Sequence, residues 1–150
     1  MSKEKINLSP IGYVQTDAVG EEVKDKSRTS QIILKKELVK GLEGISDYSH
    51  LFIIFWLDQV KEEDRLKLKV HPRGRTDMPL TGVFAVRTML RPNPIGLTLV
   101  QLLNIEDNKI TVRGLDAYNR TPILDIKPYD PMDTTENPKV PEWWLRLKEE

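Results

Sequence analysis

The feature that most constrains the fold is a series of short apolar runs separated by turn residues. Several runs are rich in β-branched and aromatic residues and alternate between apolar and polar positions, which is typical of half-buried strands. The run HLFIIFWL at 50–57 is apolar at every position after His50, which predicts a strand buried on both faces. The predicted strands cover residues 11–16, 31–36, 50–57, 66–70, 82–89, 95–105, 109–117 and 121–127.

Helical signals are few. Residues 38–46 predict about one turn, and Pro141 predicts a terminal helix over EWWLRLKEE because proline is favoured at the first helical position. The turn sequence Glu-Asp-Asn-Lys predicts that strands 95–105 and 109–117 pair as an antiparallel hairpin. Many short strands and few helices favour a sheet that closes on itself, because closure removes the exposed strand edges. The predicted fold is therefore mainly β: a small, single-sheet, mostly antiparallel β-barrel with few short helices.

Chain length and composition favour one ordinary globular domain. The 150 residues predict a barrel domain over 1–131, followed at 132–150 by a proline-rich arm whose short helix packs on the barrel or on a dimer partner. The N-terminal MSKEKINLSP has no apolar signal region, and no run of 18 apolar residues occurs, so a cytoplasmic protein outside the membrane is expected. The absence of cysteine and the presence of only two histidines predict no metal site.

Charge is balanced overall but not along the chain. The sequence has 23 basic and 23 acidic residues, yet residues 65–120 contain ten basic and four acidic ones. Such a basic stretch suits phosphate contacts with RNA, and it is equally typical of strands that carry lysine and arginine on their solvent faces. No two of the eight glycines form a G-x-G pair, which excludes the dinucleotide fingerprint and the P-loop.

The segment RPNPIG at 91–96 interrupts a strand-like region with two prolines. Each proline fixes its own φ at roughly −65°, donates no hydrogen bond and holds the preceding residue extended. Arg91 and Asn93 should therefore project from one side of a stiff ledge, with free backbone carbonyls and with Gly96 allowing a ligand or a second backbone to approach. The ledge either binds a ligand or protects a strand edge from aggregation.

A second polar cluster follows in LDAYNRTPILDIKPYDP at 115–131. Extended geometry places Asp125, Lys127 and Tyr129 on one face, where they form either an ion-paired solvent face or a proton acceptor, a phosphate contact and a stacking platform. Arg87 and Asp116 lie near the ends of predicted strands, where barrels bind ligands. An ion pair, with each other or with other groups, is the alternative for these two residues.

These motifs together resemble the TrmO (TsaA-like) family of tRNA methyltransferases. The resemblance runs from about residue 11 to 131 and rests on IGYVQT, SHLFIIFWLDQ, GVFAVR, RPNPIGLT, GLDA and TPILDIKPYDP. It implies a single-sheet barrel that works as a homodimer. It also implies the use of S-adenosyl-L-methionine to methylate N6 of threonylcarbamoyladenosine at tRNA position 37.

The resemblance carries roles to individual positions. The implied cofactor contacts are Asp58, Gln59, Arg87, Leu97, Leu115 and Asp116. Our hypothesis for the proton acceptor is Asp125, with the ledge carbonyls as competitors and Asn93 as a further catalytic candidate. The candidate RNA contacts are Arg73, Arg75, Arg91, Arg113, Arg120, Lys127 and Tyr129.

The chain departs from the family pattern at two places. Thr88 and Met89 stand where the family usually has serine and often proline, and Asn119–Arg120 replace the usual Asp-Gly, which changes a turn at the rim of the pocket. Two other functions fit the same residues. They are a non-catalytic barrel that binds RNA or an adenosyl ligand, and a methyltransferase acting on another nucleotide or a small metabolite.

Overall fold

The computed structural model describes residues 4–148, which form two compact units. The first unit contains the described residues up to Asp58 together with Ile95–Tyr129, and the second contains Gln59–Pro94 and the described residues from Asp130 onward. The eight strands are β1 (Gly12–Gln15), β2 (Thr29–Leu34), β3 (His50–Trp56), β4 (Lys69–Val70), β5 (Thr81–Gly82), β6 (Ile95–Glu106), β7 (Lys109–Arg113) and β8 (Pro122–Pro128). The expected domain boundary at residue 131 stays a prediction.

Six strands of the first unit form a closed barrel in the order β1-β2-β7-β6-β3-β8. Every neighbouring pair is antiparallel, including β8 with β1, which closes the sheet. The predicted mainly β, mostly antiparallel barrel is therefore confirmed. The predicted hairpin is also present, because Glu106 at the end of β6 pairs with Lys109 at the start of β7.

The barrel core consists of inward-facing residues of the six barrel strands together with Leu115 and Ala117, which follow β7. In β3, Leu51, Ile53 and Phe55 are buried, while the alternate residues keep part of their surface exposed. The prediction that this strand is buried on both faces is therefore wrong, because a closed barrel has only one interior. The outer face of β3 is nevertheless apolar, with Phe52, Ile54 and Trp56 partly buried.

The predicted strand over 82–89 is wrong. After the two-residue β5, Val83–Ala85 forms a 3-10 helix. Beyond it, Arg91 Nη1 donates to the carbonyls of Val86 and Thr88 at 3.1 and 2.9 Å, and Leu90 N donates to Thr88 Oγ1. An apolar alternation does not reveal that a nearby guanidinium will satisfy these carbonyls in place of a neighbouring strand.

Other boundaries moved by a few residues. Of the predicted strand 66–70 only β4 remains, since Glu62–Leu66 forms a 3-10 helix. Strand β7 ends at Arg113 because Gly114, at φ 95°, turns the chain out of the sheet in a conformation that favours glycine.

The helical predictions are confirmed. The 3-10 helices Lys36–Leu42 and Ile45–Asp47 cover the predicted turn. An α-helix at Glu142–Lys148 follows Pro141, and the last two residues of the predicted segment lie outside the described residues. None of the helices within 4–148 is long and apolar enough to cross a membrane.

Candidate functional site

One end of the barrel gathers several residues to which the family resemblance assigns cofactor contacts. At this end β1, β3 and β7 terminate and β2, β6 and β8 begin, and we call it the mouth. Asp58 comes two residues after β3, Leu97 is the third residue of β6, and Leu115 and Asp116 follow β7. Antiparallel pairing thus brings to one rim residues that are far apart in the sequence.

The carboxylate of Asp116 is held by two partners at the mouth. Thr98 Oγ1 donates to Asp116 Oδ1 at 2.5 Å, and Lys26 Nζ lies 3.3 Å from Asp116 Oδ2. Lys26 also donates to the carbonyl of Gly114 at 3.3 Å. The ion pair considered as an alternative for Asp116 is therefore formed with Lys26. Sequence reasoning missed Lys26 because it lies in a loop with no motif, far from residue 116 along the chain.

The inner side of the mouth contains buried polar residues among its apolar ones. Ser30, Thr98 and Thr121 are the buried polar residues of the described chain. Ser30 is 7% exposed, and its hydroxyl oxygen has no hydrogen-bond partner. Since a buried hydroxyl is normally paired, the Ser30 hydroxyl is an unsatisfied polar group inside the barrel.

The cofactor candidates at the mouth face different directions. The side chain of Leu97 is 58% exposed on the outer face of β6, whereas Leu115 belongs to the barrel core and is 6% exposed. Asp116 is held from the inner side, because Thr98 faces the interior. The pattern GLDA therefore combines a core position at Leu115 with a ligand candidate at Asp116.

Leu97 and Asp125 lie in one row across three strands. Ile54 of β3 pairs with Leu97 on one side and with Asp125 of β8 on the other, and all three side chains lie on the outer face. Neighbouring strands are about 5 Å apart, so about 10 Å separates the backbones at the two ends of the row. The row joins a cofactor candidate to the catalytic candidate on a single surface.

Asp125 and Lys127 share the outer face of β8, as predicted. Lys127 Nζ lies 3.5 Å from Asp125 Oδ2, and Ile126 N donates to Asp125 Oδ1 at 2.9 Å. Tyr129 N donates to the carbonyl of His50 at the opposite end of the barrel, and its ring packs edge-on against Phe52 at 5.7 Å between centroids. Tyr129 is thus separated from the mouth by the length of β8.

In the second unit, the proline ledge is clamped by Arg65. Arg65 Nε donates to the carbonyl of Pro92 at 2.7 Å, and Nη2 donates to Asn93 Oδ1 at 3.4 Å. The expectation that the ledge carbonyls are free is therefore wrong at Pro92. Arg91 is directed into its own loop by the two carbonyl contacts described above. Sequence reasoning missed Arg65, which had counted only as part of the basic stretch.

The expectation that Gly96 leaves room for a ligand is wrong on the inner side of β6. A Cβ placed on Gly96 would overlap the ring of Phe55, its partner in the β3–β6 pair. The aromatic ring therefore fills the space that the missing side chain leaves. Pro94, two residues earlier, is fully buried, so this part of the motif serves packing.

The arginines assigned to RNA are placed differently from one another. Arg75 donates through Nε and Nη2 to Asp77 at 3.0 and 2.6 Å, and this hydrogen bonding lowers the pKa of Asp77. Arg113 Nη1 donates to Gln101 at 3.2 Å on the outer face of the barrel. Arg73 and Arg120 are exposed. Asp58, Gln59 and Arg87, from the cofactor set, are also exposed.

The unusual turn before β8 keeps a conformation that favours glycine. Arg120 has φ 70°, and its N–H donates to the carbonyl of Val14 at 2.7 Å. Asn119 Oδ1 accepts from Thr16 N at 3.1 Å, a role that an aspartate could also fill. The replacement of Asp-Gly thus retains the turn while adding a cation at the mouth.

Among residues 4–148, no cluster of three or more histidine or acidic side chains is placed to hold a metal.

A family model described as the tRNA-methyltransferase O N-terminal domain matches residues 16–133. The chain belongs to this TrmO family. A probable S-adenosyl-L-methionine-binding protein of Methanocaldococcus jannaschii is 43% identical over 80% of this chain and 89% of its own length. An S-adenosyl-L-methionine-binding protein of Archaeoglobus fulgidus is 38% identical over 83% of this chain and 89% of its own length.

Solved structures of TrmO share the fold. A crystal structure of TrmO is 30% identical, with a TM-score of 0.74 over 91% of this chain. A crystal structure of TrmO from Pseudomonas aeruginosa is 26% identical, with a TM-score of 0.74 over 95% of this chain. This chain spans 63% of the length of each of these solved chains. The resemblance inferred from the sequence motifs is therefore confirmed.

Proposed function

We propose that this TrmO-family chain is an S-adenosyl-L-methionine-dependent methyltransferase that methylates N6 of threonylcarbamoyladenosine at tRNA position 37. The observation that carries the proposal is the family match over 16–133, together with the mouth that holds Asp116 at a family cofactor position. The names of the relatives from M. jannaschii and A. fulgidus support the same cofactor.

The residues of the mouth fit this cofactor. S-adenosyl-L-methionine has a positively charged sulfur, an α-amino acid group and an apolar adenine face. Asp116 offers a partly exposed carboxylate for a cationic group, and Leu97 offers an exposed apolar side chain. The contacts assigned to Gln59 and Arg87 remain part of the proposal from the family resemblance.

The chemistry requires orientation and one proton acceptor. When bound, S-adenosyl-L-methionine supplies a methyl group whose bond to sulfur breaks with the electron pair staying on sulfur. Asp125 accepts the proton that N6 of the nucleotide releases, which leaves N6 more nucleophilic. Asn93, held at its side-chain oxygen by Arg65, retains its amide N–H groups to orient the nucleobase. Positioning of the reacting groups supplies much of the remaining rate enhancement.

The proposed assembly is a cytoplasmic homodimer. The support for a dimer is the family resemblance and the exposed apolar surface of the terminal helix, where Trp144 and Leu145 are 42% and 48% exposed. Sedimentation of the purified chain at micromolar concentration tests the dimer, and a single monomeric species contradicts it.

The proposed function is tested by methyl incorporation from labelled cofactor into three substrates. They are tRNA that carries the threonylcarbamoyl group, the same tRNA without it, and a pool of nucleosides and small metabolites. Incorporation only into the modified tRNA is the expected result. Incorporation into the small molecules alone indicates another methyltransferase activity. Cofactor or tRNA binding without transfer indicates a non-catalytic barrel. Two observations favour that function: Asp125 is paired with Lys127, and the relative from M. jannaschii is named as a binding protein.

Replacing Asp116 by asparagine is expected to weaken S-adenosyl-L-methionine binding about tenfold or more, because a charge-assisted contact contributes about 1.5–3 kcal/mol. Titration calorimetry measures the effect. The matched control is Asp107→Asn, which makes the same chemical change at the β6–β7 turn, where φ 56° tolerates asparagine. Equal affinities for the two variants would contradict the role of Asp116.

Replacing Arg120 by glutamine is expected to weaken tRNA binding and to reduce the slope of log affinity against log salt concentration by about 1. The Arg75→Gln variant is the comparison. Its effect on the slope should be smaller, since the Arg75 guanidinium is already neutralised by Asp77. Binding curves at several salt concentrations measure both slopes, and an unchanged slope for Arg120→Gln excludes a phosphate contact there.

A further inference from the structure

We propose that Lys26 and Asp116 act as one recognition pair for the α-amino acid end of the cofactor. In this pair, the Lys26 ammonium binds the α-carboxylate and the Asp116 carboxylate binds the α-ammonium. The inference rests on the proposed function and adds a subsite and a selectivity to it: the chain distinguishes S-adenosyl-L-methionine from an analogue that lacks the carboxylate.

The ion pair retains capacity for a ligand. The Lys26 side chain is 62% exposed and that of Asp116 is 37% exposed, so both charges are accessible from solvent. Lys26 has three donors, of which Asp116 and the Gly114 carbonyl use two. Asp116 accepts from Thr98 through one oxygen and faces Lys26 with the other, which leaves acceptor positions on both oxygens.

The geometry of the pair selects for opposite charges on one ligand. An ammonium and a carboxylate 3.3 Å apart match the two neighbouring charges of an amino acid group, with each charge beside its opposite. A ligand group with a single negative charge meets the repulsion of Asp116, and a single positive charge meets that of Lys26. These repulsions weaken the binding of ligand groups that carry only one charge, so the pair gives selectivity in addition to affinity.

The pair is built on ordered backbone. Gly114 N donates to the carbonyl of Arg28 at 3.1 Å, which ties the loop before β2 to the loop after β7. Within the first loop, Ser27 donates through N and Oγ to Asp25 at 3.0 and 2.6 Å. Thr98 fixes Asp116 from the barrel interior. Little ordering is therefore needed when a ligand binds.

The alternative role for Lys26 is purely structural. In that case the ammonium holds the two loops together and neutralises Asp116 without touching a ligand. Both roles predict weaker cofactor binding when Lys26 is lost, so the affinity for one ligand does not separate them. The comparison of two ligands that differ only in the α-carboxylate does.

Titration calorimetry of S-adenosyl-L-methionine and of its decarboxylated analogue, with the full chain and with Lys26→Met, tests the proposal. The full chain should bind S-adenosyl-L-methionine about tenfold more tightly than the analogue, as expected for one charge-assisted contact. The substitution should weaken S-adenosyl-L-methionine binding about tenfold. It should leave the affinity for the analogue unchanged or raise it, because the repulsion between Lys26 and the analogue's ammonium is removed. Lys24→Met is the matched control, because Lys24 ends the 3-10 helix Gly20–Lys24, two residues before Lys26, and pairs with the exposed Glu21.

The outcomes separate the inference from the function on which it rests. Equal losses for both ligands in Lys26→Met overturn the recognition pair and leave the cofactor assignment intact. A similar loss of discrimination in Lys24→Met also overturns it, because the effect is then one of general loop charge. If the full chain binds neither ligand, the proposed cofactor itself is wrong. Thermal unfolding of each variant verifies that the barrel is folded during the titrations.

Discussion

Asp125→Asn is expected to lower the rate of methyl transfer at least about 100-fold while S-adenosyl-L-methionine affinity stays unchanged, since a positioned proton acceptor contributes about 10²–10⁴ to a rate. Asparagine has nearly the same shape but cannot accept the proton of N6. The carboxylate lies in the cross-strand row with Ile54 and Leu97 on the outer face, and the Asp125 side chain is 51% exposed. Single-turnover rates with modified tRNA measure the effect, and calorimetry measures cofactor affinity.

Two controls separate proton acceptance from the surface ion pair. Lys127→Gln breaks the 3.5 Å contact with Asp125 but leaves the carboxylate, so the single-turnover rate at saturating tRNA should fall far less. Asp107→Asn removes a carboxylate at the opposite end of the barrel and should leave the rate unchanged. If Asp125→Asn turns over at the full rate with normal cofactor affinity, the acceptor is another group, such as a ledge carbonyl.

Gly96→Ala is expected to lower the free energy of unfolding by about 3 kcal/mol, at the upper end of the usual cost of overpacking a core. The added Cβ meets three ring atoms of Phe55, which is 3% exposed. The ring belongs to the packed core of a closed barrel, so any shift of the ring disturbs neighbouring core residues. Urea unfolding followed by tryptophan fluorescence measures the change in stability.

Gly41→Ala is the matched control, because a Cβ at Gly41 meets no atom within 4 Å. That substitution should leave stability unchanged or raise it slightly, since alanine loses less chain entropy than glycine on folding. Combining Gly96→Ala with Phe55→Leu should recover part of the loss, giving a favourable coupling between the two sites. Additive losses in the double variant would show that the ring and the added methyl group do not meet.

The sequence by itself determined the fold class and most of the strands. Alternation of apolar and polar residues is a local property, so it indicates which side of a strand faces the core wherever a sheet has one interior, as β7 shows. The RPNPIG and DIKPY motifs indicated the family, and the family indicated the cofactor. The same alternation does not distinguish a strand from a loop or a 3-10 helix with partly buried apolar residues. For this reason residues 82–89 were wrongly predicted to be a strand.

Only the tertiary structure decided which side chains meet. Barrel closure places Thr98 and Lys26 on Asp116, although neither is near it in the sequence. It also separates Leu97, Leu115 and Tyr129, whose motifs had placed them in binding roles, onto the outer face, into the core and at the far end of the barrel. Contacts of this kind depend on strand register and on where loops return. A periodic pattern shows which face of a strand is buried, but it contains no information about what lies opposite that face.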